Sequence, residues 1–185
     1  MKPQKGQVTI PFHNYLYWNI HNESLIVRES CDSFISIFDL DGNLKKKVKL
    51  PFEKEKVTEK DLNAWERRLR SVKWINKKIL EGRFDLKFWR SQLPFPEYKP
   101  VSGSKMFVDA AGNLYSMKYP DSSLTYYTWA KIDLSSGKIS ILKSGKKTRL
   151  LNIWKNNFFI MAAGEDGDYK VFRTDKEEFL FGEPK

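Results

Sequence analysis

The 185-residue chain has one cysteine, two histidines and no long apolar run. A lone Cys31 cannot form a disulfide within the chain, which excludes a small disulfide-stabilised scaffold. No segment approaches the ~18 consecutive apolar residues that a membrane-spanning helix requires. Residues 1–12 also lack the apolar stretch of a secretory signal. The sequence therefore predicts no membrane span, and it leaves the compartment open.

Aromatic and charged side chains, by contrast, are abundant. Aromatic residues make up 15% of the chain, hydrophobic residues 41% and charged residues 30%. Disordered chains are depleted in aromatic and β-branched residues, so this composition excludes disorder. A chain of this length is typical of a single domain of ~100–200 residues.

Most of the chain has the pattern of short strands joined by tight turns. Asp41-Gly42 and Ser136-Gly137 separate apolar segments, as does Asp166-Gly167, and such dipeptides favour hairpins because the turn needs positive φ. The apolar segments are residues 25–27, 34–38, 106–108, 125–132 and 158–162.

One segment, residues 58–80, has the pattern of a helix instead. Thr58 and Asp61 have the spacing of a capping box, and Gly82 supplies a stop. Apolar residues recur at three- and four-residue steps on one face: Leu62, Trp65, Leu69, Val72, Ile75 and Ile79. Three prolines within residues 94–100 then predict an extended connector.

Internal repetition organises the strand segments. Residues 18–25, 107–114 and 151–158 align without gaps, and each opens an apolar strand after a polar turn. Leu114 and Phe158 are 44 residues apart, which fits the ~40–50 residues of common four-stranded repeats. The predicted fold class is therefore all-β: about three four-stranded antiparallel meanders with one inserted amphipathic helix.

Two turn motifs carry a resemblance to a known family. Asp109-Ala110-Ala111-Gly112-Asn113-Leu114 and Phe38-Asp39-Leu40-Asp41-Gly42-Asn43-Leu44 resemble turns of six-bladed β-propellers of the NHL or TolB-like type. The resemblance covers roughly residues 14–182, although Arg173-Thr174-Asp175-Lys176 departs from the motif in the third unit.

The resemblance implies that residues 1–185 form a single partial propeller, like the C-terminal half of a ring. It places blade one at 7–52, the inserted helix and proline-rich connector at 53–104, blade two at 105–145 and blade three at 146–185. It also suggests a bacterial protein in the periplasm or another extracytoplasmic space.

Three blades cannot close a ring, and an open set leaves apolar sheet faces exposed. We therefore expect the other half of a propeller to be supplied either in cis by a longer chain or by homodimerisation.

The sequence predicts no metal, no cofactor and no catalytic residue. Asp39, Asp41 and Asn43 have the first spacings of a calcium-binding loop, but Leu44 and Leu50 occupy positions that need glycine and glutamate. A hairpin turn is the better interpretation. His21 could approach Cys31 across a hairpin, but a strand-end thiol without a catalytic role is favoured.

Two residue sets are candidates for binding. Aromatic residues could line a ligand groove by stacking or could fill the core between sheets: Tyr17, Trp18, Tyr126, Tyr127 and Trp129. Basic residues could hold an anionic partner or form solvated faces: Arg67, Arg70, Lys73, Lys77, Lys143, Lys146, Lys147 and Arg149. The net charge is +10, and residues 53–90 supply half of it.

The leading functional hypothesis is a non-enzymatic module that binds a protein or small-molecule ligand, or serves as a scaffold, through a propeller face. One alternative is a lyase or hydrolase of the kind found on some propellers. The other is nucleic-acid or anionic-partner binding through the basic helix; nucleic acid is the less favoured ligand, because nearby acidic residues dilute the field.

Overall fold

The computed structural model describes residues 12–92, 96–120, 126–145, 148–163 and 168–181. The chain divides into two compact units. The strand unit comprises Asn14–Lys54 and Pro100–Lys185, and the helical unit comprises Met1–His13 and Glu55–Lys99.

Within the described residues, the strand unit contains three antiparallel sheets in which consecutive strands pair. Sheet 1 contains β1 (Leu16–His21), β2 (Ser24–Glu29), β3 (Phe34–Phe38) and β4 (Leu44–Lys49). Sheet 2 contains β5 (Ser102–Val108), β6 (Asn113–Lys118), β7 (Tyr126–Asp133) and β8 (Ile139–Gly145). Sheet 3 contains β9 (Thr148–Trp154), β10 (Asn157–Ala163) and β11 (Tyr169–Thr174). The prediction of a mainly β fold with four-stranded antiparallel sheets is confirmed, whereas the assignment of the sheets as propeller blades stays a prediction.

Apolar side chains between neighbouring sheets form two core clusters. Ile26 and Ile35 of sheet 1 pack with Leu114 and Ile132 of sheet 2, and all four are fully buried. The second cluster joins Tyr115 and Trp129 of sheet 2 to Phe158 and Ile160 of sheet 3. The first strands of the sheets are also neighbours, since β1 contacts β5 and β5 contacts β9.

The turns explain why the repeat is visible in the sequence. In Asp39–Asn43 and in Asp109–Asn113, the carboxylate accepts from the backbone and side-chain nitrogens of the asparagine. The intervening Gly42 and Gly112 have φ of 87° and 82°, which L-residues avoid. Residues 39–43 join the antiparallel strands β3 and β4, so the hairpin-turn interpretation is confirmed. The hydrogen bonds from Asn43 also lower the pKa of the Asp39 carboxyl.

The first hairpins of sheets 1 and 3 share a second turn type. Asn22 and Glu23 both have positive φ, and so do Lys155 and Asn156. Two consecutive residues with positive φ are the signature of the type I′ turn, whose twist matches that of antiparallel strands. The Asp166-Gly167 turn lies outside the described residues.

The third unit, predicted as a four-stranded meander over residues 146–185, has three strands within the described residues. β11 ends at Thr174, and a short helix, α4 (Glu178–Phe181), follows. The Thr174 hydroxyl accepts from the Lys176 backbone nitrogen at 3.0 Å and turns the chain. Phe181 then stacks on Tyr115, with ring centroids 6.1 Å apart, and packs against the second core cluster. That burial favours the helix over a further edge strand.

The predicted single helix is two helices, α1 (Glu59–Ser71) and α2 (Lys73–Leu80). Its start is confirmed, because Thr58 and Asp61 form a reciprocal capping box. The break occurs at Val72, which is extended with φ −82° and ψ 109°. Val72 fits the apolar periodicity, so the pattern gave no sign of the break.

A third helix, α3 (Leu86–Gln92), follows in a segment for which no helix was predicted, ahead of the predicted connector. Asp85 caps it by accepting from the backbone nitrogens of Lys87 and Phe88. Leu86 is buried and Arg90 bonds to Glu59, Glu66 and Asn63 of α1, which holds the two helices together. None of the described helices is long and apolar enough to span a membrane.

Beyond the three helices, the two ends of the 55–99 segment pair with each other. The backbone nitrogen of Val57 donates to Glu97, and that of Lys99 donates to Glu55. The Lys99 ammonium reaches the Glu55 carboxylate at 2.9 Å and the buried Asp61 carboxylate at 3.4 Å. Residues 93–95 of the predicted proline-rich connector lie outside the described residues.

Candidate functional site

One end of the strand unit gathers basic and aromatic side chains. At this end β1, β5, β7 and β9 begin and β2, β6 and β8 finish, as the antiparallel pairing requires. Hydrogen bonds join sheets 1 and 2 at this end: the backbone nitrogens of Val101 and Ser102 both donate to the Ser30 carbonyl. We call this the basic strand end and define it by Lys105, Tyr126, Lys143 and Arg149.

Lys105 lies between sheets 2 and 3. Its ammonium donates to the Leu150 carbonyl at 2.5 Å and lies 5.8 Å from the Phe107 ring centroid. Burial lowers the pKa of Lys105, and the neighbouring charge of Arg149 lowers it further. Two cations of adjacent sheets are therefore close enough to repel each other, which favours an added anion.

Lys143 and Tyr126 meet across the β7–β8 hairpin. The pairing of Tyr126 with Gly145 and of Thr128 with Lys143 brings them near each other. The Lys143 ammonium lies 4.6 Å from the Tyr126 ring centroid, within range of a cation–π interaction. Among the described residues, no carboxylate forms an ion pair with Lys105, Lys143 or Arg149.

Arg28 is a buried cation behind this end and is not among the residues predicted from the sequence. Its guanidinium donates to the Gly103 carbonyl and to the Ser116 hydroxyl, both at 2.6 Å. Pairing of β5 with β6 is irregular between Ser102 and Met106, so Arg28 supplies a donor to backbone that the ladder leaves unpaired. The alternation of Ile26 and Arg28 on the inward face of β2 was the available signal.

The Arg28 guanidinium keeps its charge at neutral pH. Burial lowers the pKa of Arg28 to about 10, and the nearby Tyr17 opposes that shift. The guanidinium carbon lies 4.9 Å from the Tyr17 ring centroid. Burial also raises the pKa of the Tyr17 hydroxyl. Arg28 Nε is buried without a hydrogen-bond partner, so the Arg28 side chain acts as a structural clamp that reaches sheet 2 through its terminal nitrogens.

The five candidate aromatic residues do not share one groove. Tyr17 faces Arg28, whereas Trp18 points to the opposite face of β1 and is exposed. Tyr127 packs against the second core cluster, and Trp129 is buried in it, donating its indole N–H to the Ser144 hydroxyl at 3.0 Å. Tyr126 alone of the five lies beside an exposed cation of sheet 2, and a ligand-binding role for the set stays a prediction.

The candidate basic residues are divided between the two units. Arg67, Arg70, Lys73 and Lys77 are exposed on α1 and α2 of the helical unit, and Lys77 lies 3.9 Å from Glu81. Lys143 and Arg149 belong to the strand unit. Lys146 and Lys147 lie outside the described residues.

His21 and Cys31 do not approach each other. His21 pairs with Ser24 at the turn of the β1–β2 hairpin, whereas Cys31 follows β2 at the far end and donates its backbone N–H to Asn14. The strands between them are six residues long, or roughly 20 Å. Among the described residues, no group of three or more histidine, cysteine, aspartate or glutamate side chains is arranged to hold a metal ion.

Comparison of the chain with family models, with curated proteins and with solved structures finds no match in any of the three. The resemblance to NHL or TolB-like propellers therefore stays a prediction that depends on the turn motifs and their spacing.

Proposed function

We propose that the chain is a binding or scaffold module that holds an acidic partner, such as an acidic protein segment, at the basic strand end. The observation that carries the proposal is that no carboxylate of the described residues forms an ion pair with Lys105, Lys143 or Arg149 at this end of the strand unit. Lys105 lies beside Arg149, whereas Lys143 lies with Tyr126 on the other face of sheet 2. Burial lowers the pKa of Lys105 most, and repulsion from Arg149 lowers it further; carboxylates of a partner would relieve that repulsion. Tyr126 would add contact area to the interface.

The proposal treats sheets 1 to 3 as propeller blades of the NHL or TolB-like type. The neighbouring order of β1, β5 and β9 supports it, because the first strands of propeller blades surround a central channel. The strand ends and loops beside such a channel are common binding surfaces. The periplasmic or extracytoplasmic location belongs to the same proposal.

A titration with a polyglutamate peptide, followed by fluorescence anisotropy, tests the proposal. Lys143→Glu should weaken binding roughly tenfold or more, since a favourable contact becomes a repulsive one. Lys138→Glu is the matched control: it makes the same charge change at the opposite end of the β7–β8 hairpin and should leave the affinity nearly unchanged. Equal losses for the two variants would show that only net charge matters and would refute a localised site.

A single-stranded oligonucleotide tests the alternative function on the helical unit. If nucleic acid is the natural ligand, the oligonucleotide should bind more tightly than the peptide, and Lys73→Glu should weaken its binding while Lys143→Glu does not. That pattern would contradict the proposed site. We expect instead that the peptide binds more tightly and that Lys73→Glu has little effect on it.

A further inference from the structure

Sheet 1 has one apolar face that the other described residues leave exposed. Leu16, Trp18 and Ile20 alternate along β1 and are 62%, 65% and 58% exposed. Their neighbours on the same face of β2 include Leu25 and Val27, which pair with Ile20 and Trp18. We call this the open face of sheet 1. Its β4 edge is polar, with Lys45, Lys47 and Lys49 exposed, so the face has an apolar centre and a polar rim.

Sheet 3 has a corresponding exposed face at the other end of the strand unit. Tyr169 and Val171 of β11 are 67% and 62% exposed. They pair with Ala163 and Met161 of β10, and the same register places Phe159 on this side. We call this the open face of sheet 3. Contiguous exposed apolar patches of this kind commonly mark a protein–protein interface.

The repeat shows how the two open faces are related. Leu25, Leu114 and Phe158 occupy equivalent positions in the second strands of the three sheets. Leu114 is buried against sheet 1 and Phe158 against sheet 2, whereas Leu25 lies on the open face of sheet 1. The open face of sheet 1 is therefore the face that, in the other two sheets, packs on a preceding sheet.

The residues that follow these three in their strands show the complementary pattern of burial. Ile26 is buried against sheet 2 and Tyr115 against sheet 3, whereas the equivalent Phe159 lies on the open face of sheet 3. The molecule thus forms the same kind of sheet-to-sheet junction twice. Its two open faces are the two unmatched halves of a third such junction.

We infer that a second copy of this chain supplies the missing halves, with the open face of sheet 1 of each copy packed on the open face of sheet 3 of the other. Two copies would close a ring of six sheets, within the ~4–8 blades of known propellers, whereas three copies would give nine. Strands spaced ~4.8 Å apart and about six residues long give a face of roughly 400 Å² for the four strands of sheet 1 and roughly 300 Å² for the three strands of sheet 3. Two junctions would then bury about 1,400 Å², within the range of standard stable interfaces.

Sedimentation or light scattering of the purified chain tests this inference. We expect twice the 21.8 kDa of one chain. Ile20→Lys on one open face and Val171→Glu on the other should each weaken association roughly tenfold or more, because each introduces a charge at an apolar junction. Ile141→Lys is the matched control, since Ile141 is 50% exposed on β8 and lies on neither open face. The far-UV spectrum and thermal midpoint of each variant report whether it folds.

Mixing the two variants distinguishes the head-to-tail arrangement from pairing of like faces. A mixture of Ile20→Lys and Val171→Glu chains keeps one unsubstituted junction and places lysine and glutamate faces together at the other. Recovery of the dimer mass as a one-to-one complex would support the inference. A wild-type chain that stays at 21.8 kDa at its highest soluble concentration would overturn it, as would a dimer that both folded variants leave intact.

Discussion

Replacing Arg28 by methionine should destabilise the strand unit by about 3 kcal/mol, because it removes a buried network between two sheets. The guanidinium donates short bonds of 2.6 Å to the Gly103 carbonyl and the Ser116 hydroxyl. Hydrogen bonds from a charged donor contribute ~1.5–3 kcal/mol each, and a buried carbonyl left without a donor costs ~1–3 kcal/mol. Removal of the desolvated charge and burial of the methionine side chain offset part of this sum.

A double-mutant cycle with Ser116→Ala isolates the part of the cost that belongs to this pair. Alone, Ser116→Ala should cost about 1.5–2 kcal/mol, because Arg28 Nη1 is left with only the Lys105 carbonyl at 3.5 Å. In the Arg28→Met background the same change should cost little, so we expect a coupling energy of about 1–2 kcal/mol. Arg70→Met, on the exposed surface of α1, is the control and should change stability by less than ~0.5 kcal/mol.

Urea denaturation followed by far-UV circular dichroism measures these differences, and thermal melts should shift by ~2–4 °C for each kcal/mol. The interpretation of Arg28 as a clamp is refuted if Arg28→Met raises the free energy of unfolding. It is also refuted if the coupling energy with Ser116 is zero within error, since the two side chains would then act independently.

Three further predictions concern the turns, a close backbone approach and the helix cap. Asn113→Ala, in the partly buried turn, should cost about 1 kcal/mol, and Asn43→Ala, in the exposed turn, less than half of that; equal urea midpoints for the two variants would contradict this. Gly103→Ala should cost about 1 kcal/mol, because an added Cβ would lie 3.2 Å from the Lys118 carbonyl oxygen, which is fixed, whereas Met117 Cε at 2.6 Å can rotate aside; an unchanged midpoint would be inconsistent with the backbone contact. Burial raises the pKa of Asp61, but hydrogen bonds from Thr58 and the charge of Lys99 outweigh it, so that the pKa is lowered. The ionised Asp61 should therefore stabilise the helix fully above the ordinary aspartate pKa of about 3.9, and the helical signal at 222 nm should decrease as the pH falls through the lower pKa that Asp61 has in the folded chain. Asp61→Asn should abolish that dependence.

The parts of the fold that the sequence predicted correctly depend on local chemistry. The Asp39 and Asp109 turns need an aspartate, a glycine with positive φ and an asparagine within five residues, and all three are visible in the sequence. The Thr58 capping box is equally local. Such features can be predicted because their partners lie within a few positions of each other.

The features that the sequence did not predict depend on distant contacts. Val72 continues the apolar periodicity of a helix, yet its backbone is extended and divides α1 from α2. The last residue of α4, Phe181, stacks on Tyr115, which lies far earlier in the chain. This contact favours the helix. Arg28 bonds to Gly103 and Ser116, which lie 75 and 88 positions later in the chain. No local sequence pattern indicates contacts between residues so far apart.

The candidate site was predicted as separate residues and not as a site. Tyr126 belongs to the predicted aromatic set and Lys143 to the predicted basic set. Only the β7–β8 register brings the Lys143 ammonium against the Tyr126 ring. Lys105 was in neither set, since a single lysine in a strand has no distinguishing spacing. Its position depends on the packing of sheet 3, which brings Leu150 and Arg149 beside it.

Backbone amide chemical-shift mapping with a polyglutamate peptide tests the proposed function most directly. The account predicts that the largest shift changes occur at the basic strand end, around Lys105, Lys143 and Arg149, and that they diminish as salt is added. Changes centred on α1 and α2 would contradict it, and so would a spectrum that the peptide leaves unchanged at low ionic strength.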